Sequence, residues 1–226
     1  MTATADVTAL EHVLRERHSC RGFLPDPLDD AVIERILGMA QRAPSWCNAQ
    51  PWRVTITRGA ATEQFRTALR AHMHDTGSAP DIAFPAAYRG IYQERRRTCG
   101  YQLYDAVGVA HGDREASARQ ARENFRLFGA PHVAIVSSDA ALGAYGAVDC
   151  GAFVTCFMLA AQALGVASIA QAALTAFSPF LHGHFGIPED RSIVCGISFG
   201  YEDTAHPANR FRTSRAPLEE VLAWQG

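Results

Sequence analysis

Apolar residues recur at helical spacing at Val7, Leu10, Val13 and Leu14, and again at Val32, Ile33, Ile36, Leu37 and Ala40, behind the acids Asp29 and Asp30 that suit a helix start. Two amphipathic helices are expected, with a loop over 17–28 between them and the second ending at Ala43-Pro44. A polar loop over 45–50 leads into Trp-Arg-Val-Thr-Ile-Thr at 52–57, whose alternation predicts a half-buried strand. Gly77 and Pro80 mark 75–85 as a loop, and 88–107 reads as a polar helix carrying Tyr92, Tyr101 and Tyr104. Further strands are predicted at 132–137, 166–170 and 192–198, with a short helix around 177–185. The stretch 147–164 is apolar nearly all round, the pattern of a helix buried at the centre of a fold, and Gly165 is its natural stop. Helices of unequal length interrupt the strands without regular β-α-β spacing. The expected class is therefore α+β, a central mixed sheet of about four to five strands covered by helices.

At 226 residues and 48% hydrophobic content, the chain can bury one sizeable core, so a single domain over 1–226 is expected, with 75–128 as a peripheral helical insertion. The formal charge of -2 comes from 21 basic and 23 acidic residues mixed along the chain, which leaves no electrostatic footprint for nucleic acid. Cys20, Cys47, Cys99, Cys150, Cys156 and Cys195 form no C-x-x-C pair, and several sit in apolar runs. Reduced thiols in a cytoplasmic protein fit that better than a disulfide framework or a zinc site. Residues 1–10 lack the basic and apolar regions of a signal peptide. The longest apolar segment, near 150–166, is broken by Thr155 and Gln162 and reads as too short and too mixed for a membrane span.

Two loops carry candidate chemistry. Arg17-His18-Ser19-Cys20-Arg21, just past the first helix, could bring two guanidinium forks and a hydroxyl to one phosphate, or could be a solvated basic loop. Pro44-Ser45-Trp46-Cys47-Asn48-Ala49-Gln50-Pro51-Trp52 is dense in donors and acceptors and is held between two prolines. Such a loop can address a heteroaromatic ring while staying rigid, or can simply join helix to strand.

These two motifs, their order and the helix between them resemble the FMN-dependent nitroreductase family, whose members open with Arg/His-x-Ser-x-Arg/Lys and follow with Pro-Ser-x-x-Asn-x-Gln-Pro-Trp. The segment from Asn209 through Arg215 is similar to the family's closing basic stretch, and the combination of Gln-Ala-Ala with Asn-Arg-Phe-Arg-Thr resembles the nitrobenzoate reductase branch. The resemblance implies an oxidoreductase that binds FMN and takes hydride from NADH or NADPH. It also implies a small aromatic acceptor such as a nitroaromatic, ping-pong turnover, and a homodimer with FMN at the subunit interface. It assigns Arg17, His18, Ser19 and Arg21, with Arg212 and Arg215, to the phosphate and ribityl side. Pro44, Ser45, Trp46 and Asn48 would reach FMN from the other subunit, with Gln50 supporting their loop, and Gln171, Ala172 and Ala173 would pass backbone along the flavin edge. Thr213 stands two before Arg215, where relatives often carry a second basic residue. No catalytic side chain is required, because the flavin carries the chemistry.

Tyr92 and the run Arg95, Arg96 and Arg97 lie in the region that resembles the family's acceptor-specificity helices. One or two of these arginines could read an acceptor carboxylate, or the run is a solvated basic face. Three rival readings stand beside the flavoenzyme. Gly196-Ile-Ser198-Phe-Gly200 matches a nucleophile elbow and would make Ser198 a hydrolase serine, although the following residues are turn-like where a helix is needed. His72 with His74, and His182 with His184, would have to supply a metal site without nearby acidic or thiol partners. The non-enzyme reading is a flavin-binding module that stores or senses FMN.

Overall fold

The computed structural model describes residues 4–73 and 76–226. Four strands, β1 (Arg53–Ile56), β2 (His132–Asp139), β3 (Ala167–Gln171) and β4 (Arg191–Gly200), form one sheet in the order β1-β2-β4-β3. All three ladders are antiparallel. The mixed character expected from the sequence shrinks to a single parallel bridge, Ser19 to Ser168, at the free edge of β3.

β2 is buried along almost its whole length because both faces of the sheet are covered. Ala134 and Val136 face a core built with α2 (Asp30–Ala40) and α6 (Gly143–Ala163), where Ile36, Phe153 and Phe157 are almost fully enclosed. Val133 and Ile135 face the opposite core, with α3 (Ala60–His72), α7 (Ser178–Phe185) and the segment Leu127-Phe128. In β4, Ile193 belongs to the second core but Cys195, Ile197 and Phe199 belong to the first. The switch has a local cause. Val136 opposes Cys195 while Ser137 opposes Ile193, so Val194 is an extra residue, and a bulge there turns the strand's alternation over.

Two helices lie outside the sequence expectation. α3 carries only Thr62, Phe65 and Leu69 into the core and starts at Gly59, whose positive φ provides no side-chain cap. α5 (Arg114–Arg122) buries nothing and is announced only by Asp113, which accepts the Ala116 N–H at 2.8 Å. α4 (Ile91–Ala106) falls where a polar helix is expected and buries no residue.

α6 departs from the picture of a helix enclosed on all sides. Cys150, Phe153, Val154, Phe157, Ala160 and Ala161 are buried under the sheet, while Tyr145, Val148, Gly151 and Thr155 form an exposed stripe. With the turn before it, the segment Ala140–Ala163 is long and apolar enough to cross a bilayer, contrary to the sequence expectation; its packing is that of a core helix. α1 (Ala5–Glu16) touches α6 and buries no residue, leaving Val7, Leu10 and Leu14 exposed on one face.

Candidate functional site

α1 ends at Glu16 and the chain straightens at Arg17, so residues 17–21 run as an extended segment along β3. The Cys20 N–H donates to the Ser168 carbonyl at 3.2 Å, beside the Ser19–Ser168 bridge. A few residues on, the Leu24 N–H donates to the Tyr201 carbonyl at 2.9 Å, and the loop is thus tied to the two strands that end near it. Its side chains are held in turn. The His18 ring bonds the Glu16 carbonyl and the Glu202 carboxylate, each at 3.1 Å, and Cys20 is fully buried.

The C-terminal segment joins this loop through Asn209. Its Oδ1 accepts the Arg21 N–H at 2.7 Å, and its Nδ2 donates to the Gly22 and Asp203 carbonyls, both at 2.9 Å. Beyond it the chain brings Phe211 under the Arg21 guanidinium, 5.7 Å from the ring centroid, and carries Arg212 and Arg215 alongside Arg17. The result is a cavity of about 380 Å³ lined by Arg17, His18, Ser19, Arg21, Arg212 and Arg215 together with Cys99 of α4. Residues separated by nearly two hundred positions in sequence therefore meet in one place, as the family resemblance implied.

The cavity is electrostatically unbalanced. Among the described residues none of Arg17, Arg21, Arg212 and Arg215 has a carboxylate partner. Their bonds instead go to neutral groups: Arg21 to the Ser19 carbonyl, Arg212 to the Asn209 and Phe211 carbonyls, Arg215 to the Thr213 and Ser214 carbonyls and the Thr213 hydroxyl. Burial, and then the charge of Arg215, lower the pKa of Arg17; burial lowers that of Arg21 as well. Guanidinium groups crowded together and partly desolvated are a standing cost that a bound polyanion would offset.

The loop at 44–50 does not line this cavity in the same chain. It projects from the surface next to α6: the Trp46 N–H donates to Asp149 at 3.1 Å, and the Trp46 ring packs edge-on against Tyr145, with centroids 4.3 Å apart. Cys47, Asn48 and Gln50 all have positive φ. Non-glycine residues pay for that conformation and keep it only where the surroundings enforce it. Here the Gln50 N–H donates to Ser45 Oγ at 2.9 Å and its side chain to the Asn48 carbonyl at 3.2 Å, so Gln50 does support the loop. Pro44, Trp46 and Asn48 remain exposed.

Gln171, Ala172 and Ala173 sit where β3 ends, three residues and about 10 Å along the strand from the Ser19–Ser168 bridge. The Gln171 side chain is committed to the fold. It donates to the Asn124 carbonyl at 2.8 Å and accepts from Ser198, leaving backbone as what this segment can offer a ligand. Ser198 is fully buried within β4, which continues to Gly200 with no helix behind it, so the hydrolase elbow is absent. Tyr92, Arg96 and Arg97 are exposed, with Arg96 over the Tyr88 ring at 5.3 Å, whereas Arg95 pairs with Glu220 and lines a cavity of about 650 Å³ shared with Arg215 and the segment after it. The α4 residue that reaches the arginine cavity is Cys99, which the sequence marks only as one of six scattered thiols.

The histidine pairs are also accounted for. His72 and His184 both stack on Phe180, while His182 bonds Asp81 at 2.9 Å; His74 lies outside the described residues. Among the described residues no group of three or more possible ligands could hold a metal ion.

An antiparallel sheet enclosed by helices, with a polybasic cavity at its edge and a strained, exposed Asn/Trp loop beside its longest helix, defines an α+β protein whose edge cavity is suited to a polyanion. The chain belongs to the nitroreductase family, whose profile matches residues 14–201. It is 34% identical over 214 residues to nitroreductase NfnB of Mycolicibacterium smegmatis, covering 94% of this chain and 91% of the relative. It is 29% identical to a 4-nitrobenzoate reductase of Nocardioides, covering 99% and 93% of the two chains. The crystal structure of the FMN-dependent nitroreductase NfnB from Mycobacterium smegmatis in complex with NADPH superposes with a TM-score of 0.91 at 33% identity, over 97% of this chain and 99% of that one.

Proposed function

We propose that this chain is an FMN-dependent oxidoreductase that takes hydride from a reduced nicotinamide and passes electrons to small nitroaromatic acceptors. The observation that carries the reading is the arginine cavity, four guanidinium groups with no carboxylate partner among the described residues and a serine at the edge of a nitroreductase fold. The donor set fits a phosphate dianion, which takes several charge-assisted hydrogen bonds at once. Arg17, Ser19, Arg21, Arg212 and Arg215 would hold the phosphate and ribityl side, with His18 fixed by Glu202 as a wall of the site.

When bound, FMN supplies the two-electron chemistry, and the side chains position and polarise. Arg21, stacked on Phe211 and closest along the loop to the rest of the fold, would place positive charge against the electron-rich edge of the ring system. Ala172 and Ala173 carry no bulk that would keep a planar ligand from the backbone at the end of β3. Donor and acceptor would use the same stacking face in turn, giving ping-pong kinetics.

The site would be completed in a homodimer. Val7, Leu10 and Leu14 on α1 and Tyr145 and Val148 on the neighbouring α6 are exposed apolar side chains of the kind a subunit interface would cover. Trp46 and Asn48 lie at the margin of that surface, where Pro44, Ser45, Trp46 and Asn48 of the partner subunit would reach the flavin.

The test is the purified protein itself. A yellow protein that releases FMN on denaturation and oxidises NADPH when 4-nitrobenzoate or nitrobenzene is added supports the reading. A colourless protein that does not take up FMN refutes it, and a flavin-loaded protein without turnover would make it a flavin-storing module.

A further inference from the structure

The exposed loop that follows α2 leaves the fold at Ala43 and re-enters it at Pro51, both buried, and between these points it keeps a strained shape. Cys47, Asn48 and Gln50 have φ of 50°, 55° and 48°, a conformation that side chains with a Cβ hold only where the surroundings impose it. The Ser45 hydroxyl closes the loop on the Gln50 N–H, but that bond does not fix where the loop stands on the protein. Its neighbours do.

Tyr145, Asp149 and Phe153 are spaced four apart on α6 and so lie on one face of that helix. Each holds a different part of the loop and its exit. The Tyr145 ring meets the Trp46 ring edge-on, and the Asp149 carboxylate accepts the Trp46 N–H through both oxygens, at 3.1 and 3.3 Å. Phe153 stacks on Trp52, with centroids 5.2 Å apart. Asp149 is only 9% exposed, and among the described residues it has no ion-pair partner. A charge withdrawn this far from water holds its hydrogen-bond donor firmly, because leaving it unpaired would be costly.

The far end is held from the sheet. Arg191, the first residue of β4 and also buried, donates through Nη2 to the Pro51 carbonyl at 2.7 Å. The same guanidinium donates to the Ser137 carbonyl at 2.8 Å and the Ser137 hydroxyl at 3.0 Å, on β2. It too lacks an ion-pair partner among the described residues. Each end of the loop is thus tied through its backbone to a buried charge.

We propose that Asp149 and Arg191 are positioning residues, which hold the two ends of this loop so that Trp46 and Asn48 stand where they complete the flavin site of the partner subunit. The inference rests on the function and the dimer proposed above. Neither residue lines the arginine cavity; both act through the loop's backbone.

The experiment compares Asp149→Leu, which removes the acceptor at similar volume, with Asp149→Asn, whose side-chain oxygen can still accept the Trp46 N–H. The readouts are FMN affinity by fluorescence titration, visible circular dichroism of the bound flavin, sedimentation, and amide hydrogen exchange over 44–51. Asp149→Leu is expected to bind FMN at least about tenfold more weakly, the size of one hydrogen bond to a charged group. It should also change the flavin's dichroism and exchange faster over 44–51, while sedimenting as the parent does. Asp149→Asn should recover most of each effect. Arg191→Met should speed exchange in the same segment and also melt lower, because it loses the bonds to Ser137. Parental FMN affinity and dichroism in Asp149→Leu, an Asn variant as impaired as the Leu variant, or flavin loss that merely follows dissociation of the dimer would each overturn the proposal. A parent that takes up no FMN would overturn the function proposed above, and exchange over 44–51 unchanged in Asp149→Leu would then overturn the positioning role by itself.

Discussion

Replacing Asn209 with alanine removes the side chain whose hydrogen bonds fasten the C-terminal segment to the loop at 17–21, beside the Arg21–Phe211 contact. The substitution deletes three hydrogen bonds, one from the Arg21 N–H and two to the Gly22 and Asp203 carbonyls, at a position only 4% exposed. The Gly22 carbonyl keeps the Asp203 N–H, at 3.0 Å, and Arg21 and Asp203 are only partly buried, so no group is left wholly without a partner. The loss is then close to the net worth of the bonds, about 1 kcal/mol each, or about 3 kcal/mol in all. For a domain of this length that corresponds to a fall in melting temperature of about 6–12 °C. The same change should weaken FMN retention, since Arg212 and Arg215 are carried into the cavity by the segment Asn209 anchors. Arg215→Ala supplies the contrast: its side chain bonds only its own neighbours Thr213 and Ser214, so it should cost FMN affinity about 1.5 to 3 kcal/mol while leaving the melting temperature of the apoprotein alone. Circular dichroism melts of apo and loaded protein, with fluorescence titration of FMN, separate the two effects. An Asn209→Ala protein that melts within about 2 °C of the parent would show that the segment is held by something else.

Three further outcomes are expected. His182 bonds the Ile187 carbonyl through Nδ1 and Asp81 through Nε2; burial lowers its pKa, but these two contacts raise it more, so the net shift is upward. A His whose folded pKa is raised stabilises fully below its unfolded value of about 6.5 and loses that contribution as pH climbs through the folded value; denaturant titrations should therefore find His182→Gln costlier at pH 5.5 than at pH 9, and an equal cost at both would refute the assignment. A Cβ on Gly196 would lie 2.4 Å from Cδ1 of the fully buried Leu174, so Gly196→Ala should lose about 1–3 kcal/mol of stability, and adding Leu174→Val should recover part of it. Val148→Glu places a charge in the exposed apolar stripe of α6; sedimentation should show a monomer with less flavin, and a flavin-loaded dimer would remove this face from the subunit interface.

Much of the fold could be read from periodicity. The strands at Arg53–Ile56, His132–Asp139 and Ala167–Gln171 fall within a residue or two of where alternation or apolar runs put them. What escaped is physically specific. α3 places three residues in the core over its whole length, and its start at Gly59 gives none of the usual side-chain signals. The bulge at Val194 is a matter of pairing: no composition distinguishes an extra residue in β4 until β2 lies beside it and Val136 and Ser137 skip across it. The exposed stripe on α6 was misread because a helix apolar on every side gives no indication of which side the same chain will cover.

The site divides along the same line, between chemistry carried by a short motif and chemistry made by tertiary approach. Arg17, Ser19 and Arg21 stand in one motif, and their meeting with Arg212 and Arg215 was legible only through the family resemblance, which assigned both segments to one phosphate. The arginine run at 95–97 has the same composition but a different outcome, since Glu220 and the Tyr88 ring satisfy two of its members on the surface. Arg70 and Arg122 show the converse. They belong to different helices, neither sits in a charged motif of note, and only the packing of α3 and α5 around Phe125 brings them to one cavity. A cation's sequence neighbours thus say little about its role; what decides is whether the fold gives it a carboxylate. On that criterion the guanidinium groups around Arg21, which have no carboxylate partner among the described residues, are the positions at which this chain is expected to meet phosphate.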